Sequence, residues 1–313
     1  MTVALAFLLF SACANAQEQH TVAFWNVENY FDTEHDTLKD DHDFTPAGDY
    51  HWTPSRYLDK RDKIYKTIVA MHYPTIFGLA EVENDVTLRS LCKGTPLRNY
   101  GYDFIHFESP DRRGIDCALL YRRDLFQVIE SHPISVSDSS KGFYTRDILL
   151  VGGVLEGNDT CYFLVNHWPS KKGGTQSNRR RMTIAKTLRT LLDSLQTVHP
   201  QALIMAMGDL NTSPEERVIR RGLAFDKEGR NPEGFYNLMY QIPKGEGSYK
   251  YQDQWSCIDQ MIANRQLKVE IFRSSFLLVP DTRYLGDKPF RSYAGIRYQG
   301  GYSDHLPIIA HLP

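Results

Sequence analysis

The sequence lacks an excess of charge of either sign. Its 313 residues carry 36 Lys and Arg against 38 Asp and Glu, a formal net charge of −2. Such a chain has no global positive field of the kind that holds a protein non-specifically on nucleic acid. Any binding of phosphate groups must therefore be local, and a metal ion with a few arginines can supply it.

Cysteine is also scarce. There are five cysteines and no Cys-x-x-Cys pair, so neither a zinc site nor a disulfide framework is indicated. We expect buried free thiols at the four positions beyond the first sixteen residues, with a single disulfide as the alternative. These positions are Cys92, Cys117, Cys161 and Cys257.

Long apolar runs are absent except at the start of the chain. Val3–Phe10 is apolar but too short to span a membrane as a helix, and Ala14-Asn15-Ala16 has the small-residue pattern of a cleavage site. We therefore expect a secretory signal peptide over residues 1–16, without stable membrane insertion. The mature protein would be exported, periplasmic or extracellular, and lipoprotein processing at Cys13 is the alternative.

The remainder, residues 17–313, reads as one domain. It contains no Pro/Gly/Ser-rich linker and no internal repeat. An apolar content of 42% is an ordinary globular value and is enough for a sizeable core at this length. Strand-like and helix-like segments alternate around a strand-rich middle, which indicates an α/β protein. Among these segments, Pro54 is expected to begin a helix that runs to about Met71, Ser177 can cap a helix that runs to about Thr197, and Lys268–Val279 is expected to be one strand. No obligate protein partner is indicated, and we expect a monomer.

The most informative segment is Leu203–Thr212, LIMAMGDLNT. Its apolar run predicts a buried strand that ends at Gly208. Residues i and i+2 of a strand share a face, so Asp209 and Asn211 should emerge together. A carboxylate suits a hard cation and an amide suits a phosphate oxygen. An ordinary Asp/Asn turn is the alternative.

Five further polar clusters follow apolar runs in a fixed order along the chain. Together with Gly208–Asn211, these six segments resemble the endonuclease/exonuclease/phosphatase superfamily, which includes pancreatic-type deoxyribonucleases, abasic-site endonucleases, sphingomyelinases and inositol-polyphosphate 5-phosphatases. The resemblance runs from about Thr21 to the C-terminus. The five other clusters are Asn26-Val27-Glu28-Asn29, Gly78-Leu79-Ala80-Glu81, Asn166-His167-Trp168-Pro169-Ser170, Ile258-Asp259 and Tyr302-Ser303-Asp304-His305-Leu306-Pro307.

The resemblance implies a fold and a metal site. The fold would be a four-layer α/β/β/α sandwich of two packed mixed sheets with helices outside. Glu81 matches the principal metal-binding glutamate, and Asn26 matches an asparagine that helps to order the metal and the phosphate. We expect Mg²⁺ or Mn²⁺ to be held by Glu81 with help from Asn26, Asp209 and Asp304.

The same resemblance implies the catalytic groups. We expect His305 to act as the base that deprotonates water, with Asp259 orienting its ring. His167 and Asn211 would stabilise the pentacoordinate phosphate, and Asp209 would contribute to catalysis as well as to the metal site.

Two arginines are candidate ligands for the substrate phosphate. Arg146 falls where family members use an arginine against this group. Arg179 belongs to a basic cluster, defined by Lys171, Lys172 and Arg179–Arg181, that follows His167 in sequence. A solvated helix start is the alternative interpretation of this cluster.

Asp116 interrupts an otherwise apolar strand, where a lone carboxylate is costly unless it is paired. By resemblance to the deoxyribonuclease branch, its partner would be His167, which it would orient. Pairing with Arg113 or Arg146 is an equally open alternative.

These features predict an exported metal-dependent phosphodiesterase, and we expect an endonuclease that hydrolyses DNA or RNA. A phospholipid phosphodiesterase or a phosphoinositide-type phosphatase of the same fold is the alternative within the enzyme class. A binding module that has lost catalysis is the alternative outside it.

Overall fold

The computed structural model describes residues 20–157 and 159–313. The predicted signal peptide over residues 1–16 and the lipoprotein candidate Cys13 lie outside the described residues. Within the described ranges, no helix is both long and apolar enough to cross a lipid bilayer.

Strands and helices alternate from one end of the described chain to the other. The helices are α1 Pro54–Ala70, α2 Asp85–Gly94, α3 Gly174–Val198 and α4 Arg217–Gly222. The strands are β1 Thr21–Tyr30, β2 Ile76–Val82, β3 Tyr102–His106, β4 Asp116–Arg122, β5 Phe126–Ile134, β6 Ile148–Leu155, β7 Asp159–His167, β8 Leu203–Asp209, β9 Tyr236–Asn237, β10 Tyr249–Tyr251, β11 Gln254–Ser256, β12 Asp259–Ala263, β13 Lys268–Ile271, β14 Leu278–Pro280, β15 Asp287–Pro289, β16 Tyr293–Ala294, β17 Arg297–Tyr298 and β18 Ile308–His311.

The strands form two mixed six-stranded sheets. The first has the order β13-β18-β1-β2-β4-β3, and the second has the order β5-β6-β7-β8-β12-β9. In each sheet one central pair is parallel, β1 with β2 and β7 with β8. A helix connects each pair, α1 in the first and α3 in the second, because parallel neighbours need a crossover connection.

The two sheets pack face to face with helices on both outer surfaces. Apolar side chains of both sheets, among them Phe24, Phe163 and Met207, form the central core. On one outer side α1 and α2 cover the first sheet, and on the other α3 and α4 cover the second. The predicted four-layer α/β/β/α sandwich is confirmed.

Local sequence signals account for the start of α1. Pro54 occupies the first turn of α1 and the Thr53 side chain caps it.

Two predictions of secondary structure were wrong in detail. The single strand expected over Lys268–Val279 is β13 and β14 separated by a 3₁₀ turn. Ser177 does not cap α3, which begins at Gly174, and its hydroxyl instead donates to the carbonyl of Ser170.

The four cysteines of the described chain are buried free thiols, as expected. Burial raises the pKa of the Cys92 thiol to about 12, and the same cause raises those of Cys161 and Cys257 to about 12. These side chains therefore act as small apolar core residues.

The core between the sheets should dominate stability. Phe163 is fully buried and its ring meets that of Phe126 edge-on, with the centroids 5.6 Å apart. We expect Phe163→Ala to lower the free energy of unfolding by about 3–5 kcal/mol, through lost burial and the cavity left behind. Val198→Ala, at an exposed position, should change it by less than about 0.5 kcal/mol. Urea denaturation of both variants measures this difference.

Candidate active site

The predicted site residues meet where the central parallel strands of the two sheets end. The Asn26 side chain, in the second half of β1, donates to Glu81 Oε1 over 3.3 Å and to Asp209 Oδ2 over 3.1 Å. Two carboxylates from different sheets therefore converge on one amide nitrogen. The structure brings Asn26, Glu81 and Asp209 together, as the sequence predicts.

Irregular backbone aims these side chains. The pairing of β1 with β2 shifts register between Asn26 and Tyr30, and the pairing of β2 with β4 shifts around Glu81. Glu28, Asn29 and Glu81 lie in these irregular segments and have positive φ angles of 55°, 58° and 64°. Positive φ is costly for residues other than glycine and is concentrated at functional sites. The bulges turn Glu81 so that its Oε2 accepts from the Asn29 backbone amide over 3.0 Å.

Asp209 is the central carboxylate of the site. It is buried at the end of β8, and its Oδ1 accepts from the Asn211 backbone amide over 2.9 Å. Burial raises the pKa of Asp209 to about 7, and Asp259 adds to the rise against the opposing effects of His305, Asn211 and Asn26. The charged form of Asp209 therefore lacks a sufficient counter-charge in the metal-free protein.

His305 forms a dyad with Asp259. Its Nδ1 lies 2.7 Å from Asp259 Oδ2, and its Nε2 lies 3.8 Å from Asp209 Oδ2 and 3.9 Å from Asp304 Oδ1. Burial lowers the pKa of His305, but attraction to Asp259 and Asp209 outweighs burial, so the pKa stands well above its usual value. His305 is therefore an imidazolium in the metal-free protein.

His167 lies near the same carboxylates as His305, but its pKa is shifted in the other direction. Its Nε2 is 3.7 Å from Asp209 Oδ2 and 3.8 Å from Glu81 Oε1. Burial holds the pKa of His167 well below its usual value, and the positive charges of Arg146 and Arg113 add to the effect. With its pKa lowered in this way, His167 is a neutral imidazole in the metal-free protein.

The structure corrects the proposed partner of His167. Asp116 Oδ1 accepts from the Ser109 backbone amide, and Asp116 Oδ2 lies 3.4 Å from His106 Nε2. The Nδ1 of His167 has no hydrogen-bond partner among the described residues. Asp116 begins β4 in the first sheet, beside His106 of the neighbouring β3, whereas His167 ends β7 in the second sheet. Asp116 therefore contacts His106 and does not orient His167, nor does it pair with Arg113 or Arg146.

Arg146 and Asn211 lie close to the site but use their side chains within the protein. Arg146 pairs with Asp111 over 2.9 Å and donates to the Trp168 carbonyl over 3.0 Å. The Asn211 side chain donates to the same carbonyl over 3.0 Å. Both residues therefore fix the segment that follows His167. A direct phosphate contact by either one would require exchange of these bonds.

The predicted basic cluster is divided by the fold. Arg181 is buried and donates to the Pro169 carbonyl and to Ser177, so its role is structural. Lys171 pairs with Glu216 over 2.6 Å, and Arg180 lies over the Phe143 ring. Arg179 lies on the exposed face of α3.

Three charged residues support the site without having been assigned to it. Lys60 is buried and donates to Ser292 and to the Tyr302 carbonyl, while Glu28 accepts from the Ser292 backbone amide. Arg291 pairs with Asp304 over 2.6 Å. Lys60 had a sequence signal, because it lies four residues before Ile64 on the apolar stripe of α1, where a lysine is unusual.

The arrangement fits a divalent metal ion. Glu81, Asp209 and Asp304 supply carboxylates, which are the donors that Mg²⁺ and Mn²⁺ prefer. The Asn26 amide nitrogen holds the first two of these carboxylates in place. Burial raises the pKa of Asp209, and a divalent cation would favour its ionised form by providing a counter-charge. Ligand atoms of Asp209, Asp259 and His305 lie within 4.8 Å of one another. Asp259 Oδ2, however, lies 2.7 Å from His305 Nδ1, so we assign Asp259 to orientation of the His305 ring.

A two-sheet sandwich with carboxylates and two histidines at one edge defines a phosphoester hydrolase. The model of the Endonuclease/Exonuclease/phosphatase family matches residues 21–313, nearly the whole described chain. The protein belongs to this family.

Solved structures share the fold at low sequence identity. Truncated TDP2 of Caenorhabditis elegans has a TM-score of 0.58 at 21% identity, covering 94% of this chain and 97% of that one. TDP2 of D. rerio complexed with a single-strand DNA product has a TM-score of 0.57 at 17% identity, covering 94% and 98%. A mannosyl-6-phosphatase of Bacteroides thetaiotaomicron has a TM-score of 0.56 at 14% identity, covering 93% and 98%. No curated protein matches the sequence.

The charge state of His305 should depend on Asp259. In Asp259→Asn, burial acts on the ring with less opposition, so the pKa of His305 should fall. An NMR titration of the metal-free protein measures this pKa. Glu270→Gln, on β13 beside His311, should leave it unchanged. An unchanged His305 pKa in Asp259→Asn would show that the dyad does not set its charge.

Proposed function

We propose that this protein is an exported, metal-dependent phosphodiesterase that hydrolyses nucleic acid. The observation that carries the proposal is the position of Asp209. It lies between Asn26 and Glu81 on one side and the His305–Asp259 dyad on the other. A cation held by Asp209 would lie beside proton-transfer groups, which phosphoester hydrolysis requires.

Glu81, Asp209 and Asp304, with help from Asn26, would hold Mg²⁺ or Mn²⁺. The bound ion supplies Lewis-acid stabilisation of the negative charge on the phosphate. Arg291 already neutralises one oxygen of Asp304. It therefore limits the negative charge of the site and leaves Asp304 Oδ1 free to face His305 Nε2.

In the metal-free protein, attraction to Asp259 and Asp209 outweighs burial and raises the pKa of His305. A cation held by Asp209 would oppose this rise and would favour the ionised form of Asp209 itself. His305, oriented by Asp259, would then act as the base that deprotonates water. Neutral His167 and the Asn211 amide would complete the set of groups around the phosphate.

A hairpin beside His305 supports a nucleic-acid substrate. It consists of β10 and β11, and the ring of Tyr249 at its base lies 4.9 Å from that of His305. Tyr251 near its turn is 66% exposed. Exposed aromatic rings next to a phosphate site can stack on unpaired bases. Arg179 is the exposed arginine that we propose for a flanking phosphate. TDP2 of D. rerio has been solved with a single-strand DNA product on the same fold.

Loss of the central groups should abolish hydrolysis. We expect Asp209→Asn and His305→Ala each to reduce the rate by about 10²–10⁴, the usual contribution of a positioned acid or base. The assay is nicking of supercoiled plasmid and cleavage of single-stranded RNA with Mg²⁺ or Mn²⁺, and EDTA should stop both reactions. Glu270→Gln is the matched control and should retain full activity.

The same assay tests the alternatives. Turnover of a choline phospholipid or of an inositol phosphate without cleavage of nucleic acid would identify a lipid phosphodiesterase or a phosphatase and would refute the proposed substrate. Absence of turnover on every substrate would favour a binding module. Activity of His305→Ala within a few-fold of the parent would refute the assigned roles.

Tyr251 should affect substrate binding more than chemistry. One stacked base contributes about 1–3 kcal/mol, so Tyr251→Ala should raise the KM for single-stranded DNA about tenfold and leave kcat nearly unchanged. Steady-state kinetics on a fluorescent oligonucleotide separate these constants. Ile129→Ala, at an exposed position on β5, is the control. A fall in kcat alone would contradict stacking.

A further inference from the structure

A second cluster of metal-binding side chains lies at the end of β3 and the start of β4. Single ligand atoms of His106, Glu108 and Asp116 lie within 4.8 Å of one another. We propose that these three residues form a second divalent-metal site, suited to Zn²⁺ or a similar first-row ion. The proposal does not depend on the proposed function, because it concerns none of the residues assigned to hydrolysis.

Both buried ligands are held in orientation by outer partners. His106 Nδ1 lies 3.0 Å from Asp85 Oδ1, so the Nε2 atom is directed into the cluster. Asp116 Oδ1 accepts from the Ser109 backbone amide over 3.1 Å, so Oδ2 is directed into the cluster as well. A carboxylate on the far nitrogen of a histidine is the usual outer arrangement of metal-bound histidines.

The two atoms that face the cluster approach each other to 3.4 Å without forming a hydrogen bond, and neither has another hydrogen-bond partner among the described residues. This is the independent observation that points to a ligand. The side chains of His106 and Asp116 are 3% and 1% exposed, yet His106 Nε2 and Asp116 Oδ2 make no hydrogen bond among the described residues. Buried polar atoms of this kind require an explanation, and an ion is one. Their separation is 3.4 Å. Two ligands about 2.0–2.1 Å from a tetrahedral metal are separated by roughly the same distance.

The third ligand provides access from solvent. The Glu108 side chain is 57% exposed, and Lys39 Nζ lies 3.7 Å from its Oε2. Lys39 also donates to the carbonyls of Ser109 and Asp111, so it stays anchored if Glu108 turns to an ion. Three protein ligands with an open side are compatible with one His nitrogen, two carboxylates and a water on Zn²⁺.

A metal ion here would stabilise the connection between β3 and β4. That connection contains Asp111, which pairs with Arg146, and Arg146 donates to the Trp168 carbonyl next to His167. The ion would thus stabilise, from outside the active site, the contacts that fix the segment after His167. It would also neutralise the charge of Asp116.

Metal titration of the full chain tests the site. The protein should carry no polyhistidine tag, be stripped of metal, and contain Glu81→Gln and Asp209→Asn to weaken binding at the active site. We expect one equivalent of Co²⁺ to bind and to give the visible absorption of a low-symmetry site, and Zn²⁺ to displace it. Adding Asp116→Asn or His106→Gln should weaken binding at least 100-fold. Asp85→Asn should weaken it about 10–100-fold, as for other outer partners of metal ligands.

Glu108→Gln keeps the test decisive if the buried variants fail to fold, because Glu108 is exposed. It should weaken Co²⁺ binding about tenfold or more while circular dichroism stays unchanged. The proposal is overturned if the double variant binds no Co²⁺, or if a folded variant at Glu108, His106 or Asp116 binds it as tightly as the double variant does.

Discussion

The geometry of the active site is organised around the Asp209 carboxylate, which is buried where the two sheets meet. Two carboxylates about 4 Å apart repel by about 4 kcal/mol at an effective dielectric constant near 20. The Asn26 amide nitrogen joins Asp209 to Glu81 through contacts of 3.1 and 3.3 Å, and His305 and His167 both lie within 4 Å of Asp209. The site therefore needs positive charge, and His305 supplies part of it. A divalent ion would supply the rest.

The fold holds this unfavourable arrangement by means of its two parallel strand pairs. The register places His167 directly beside Asp209 and Asp209 opposite Asp259. Ser303 donates to the Asn26 carbonyl and accepts from the His305 amide, which ties the last turn to β1. Left-handed backbone at Glu81 and Asn211 adds strain that the surrounding sheets must offset.

Much of the fold could be predicted because apolar runs and turn residues are local signals. β8 and α1 were found in this way, and the fold class followed from the order of six motifs. The division of Lys268–Val279 into β13 and β14 could not be predicted, because an apolar run does not show where its backbone hydrogen bonds find partners. The start of α3 was misplaced for a similar reason, since the hydroxyl of Ser177 bonds to Ser170 rather than capping the helix.

The sequence by itself determined which residue types stand at the strand ends, and hence that Asn26, Glu81, Asp209 and His305 would share a site. Only the tertiary structure decided how polar groups are paired and which ones carry charge. Asp116 contacts His106, Arg181 is buried in the support of α3, and Lys60 lies beneath the site. Burial and the neighbours across strands set these partners and pKa values. Neither is encoded in the spacing of residues along the chain.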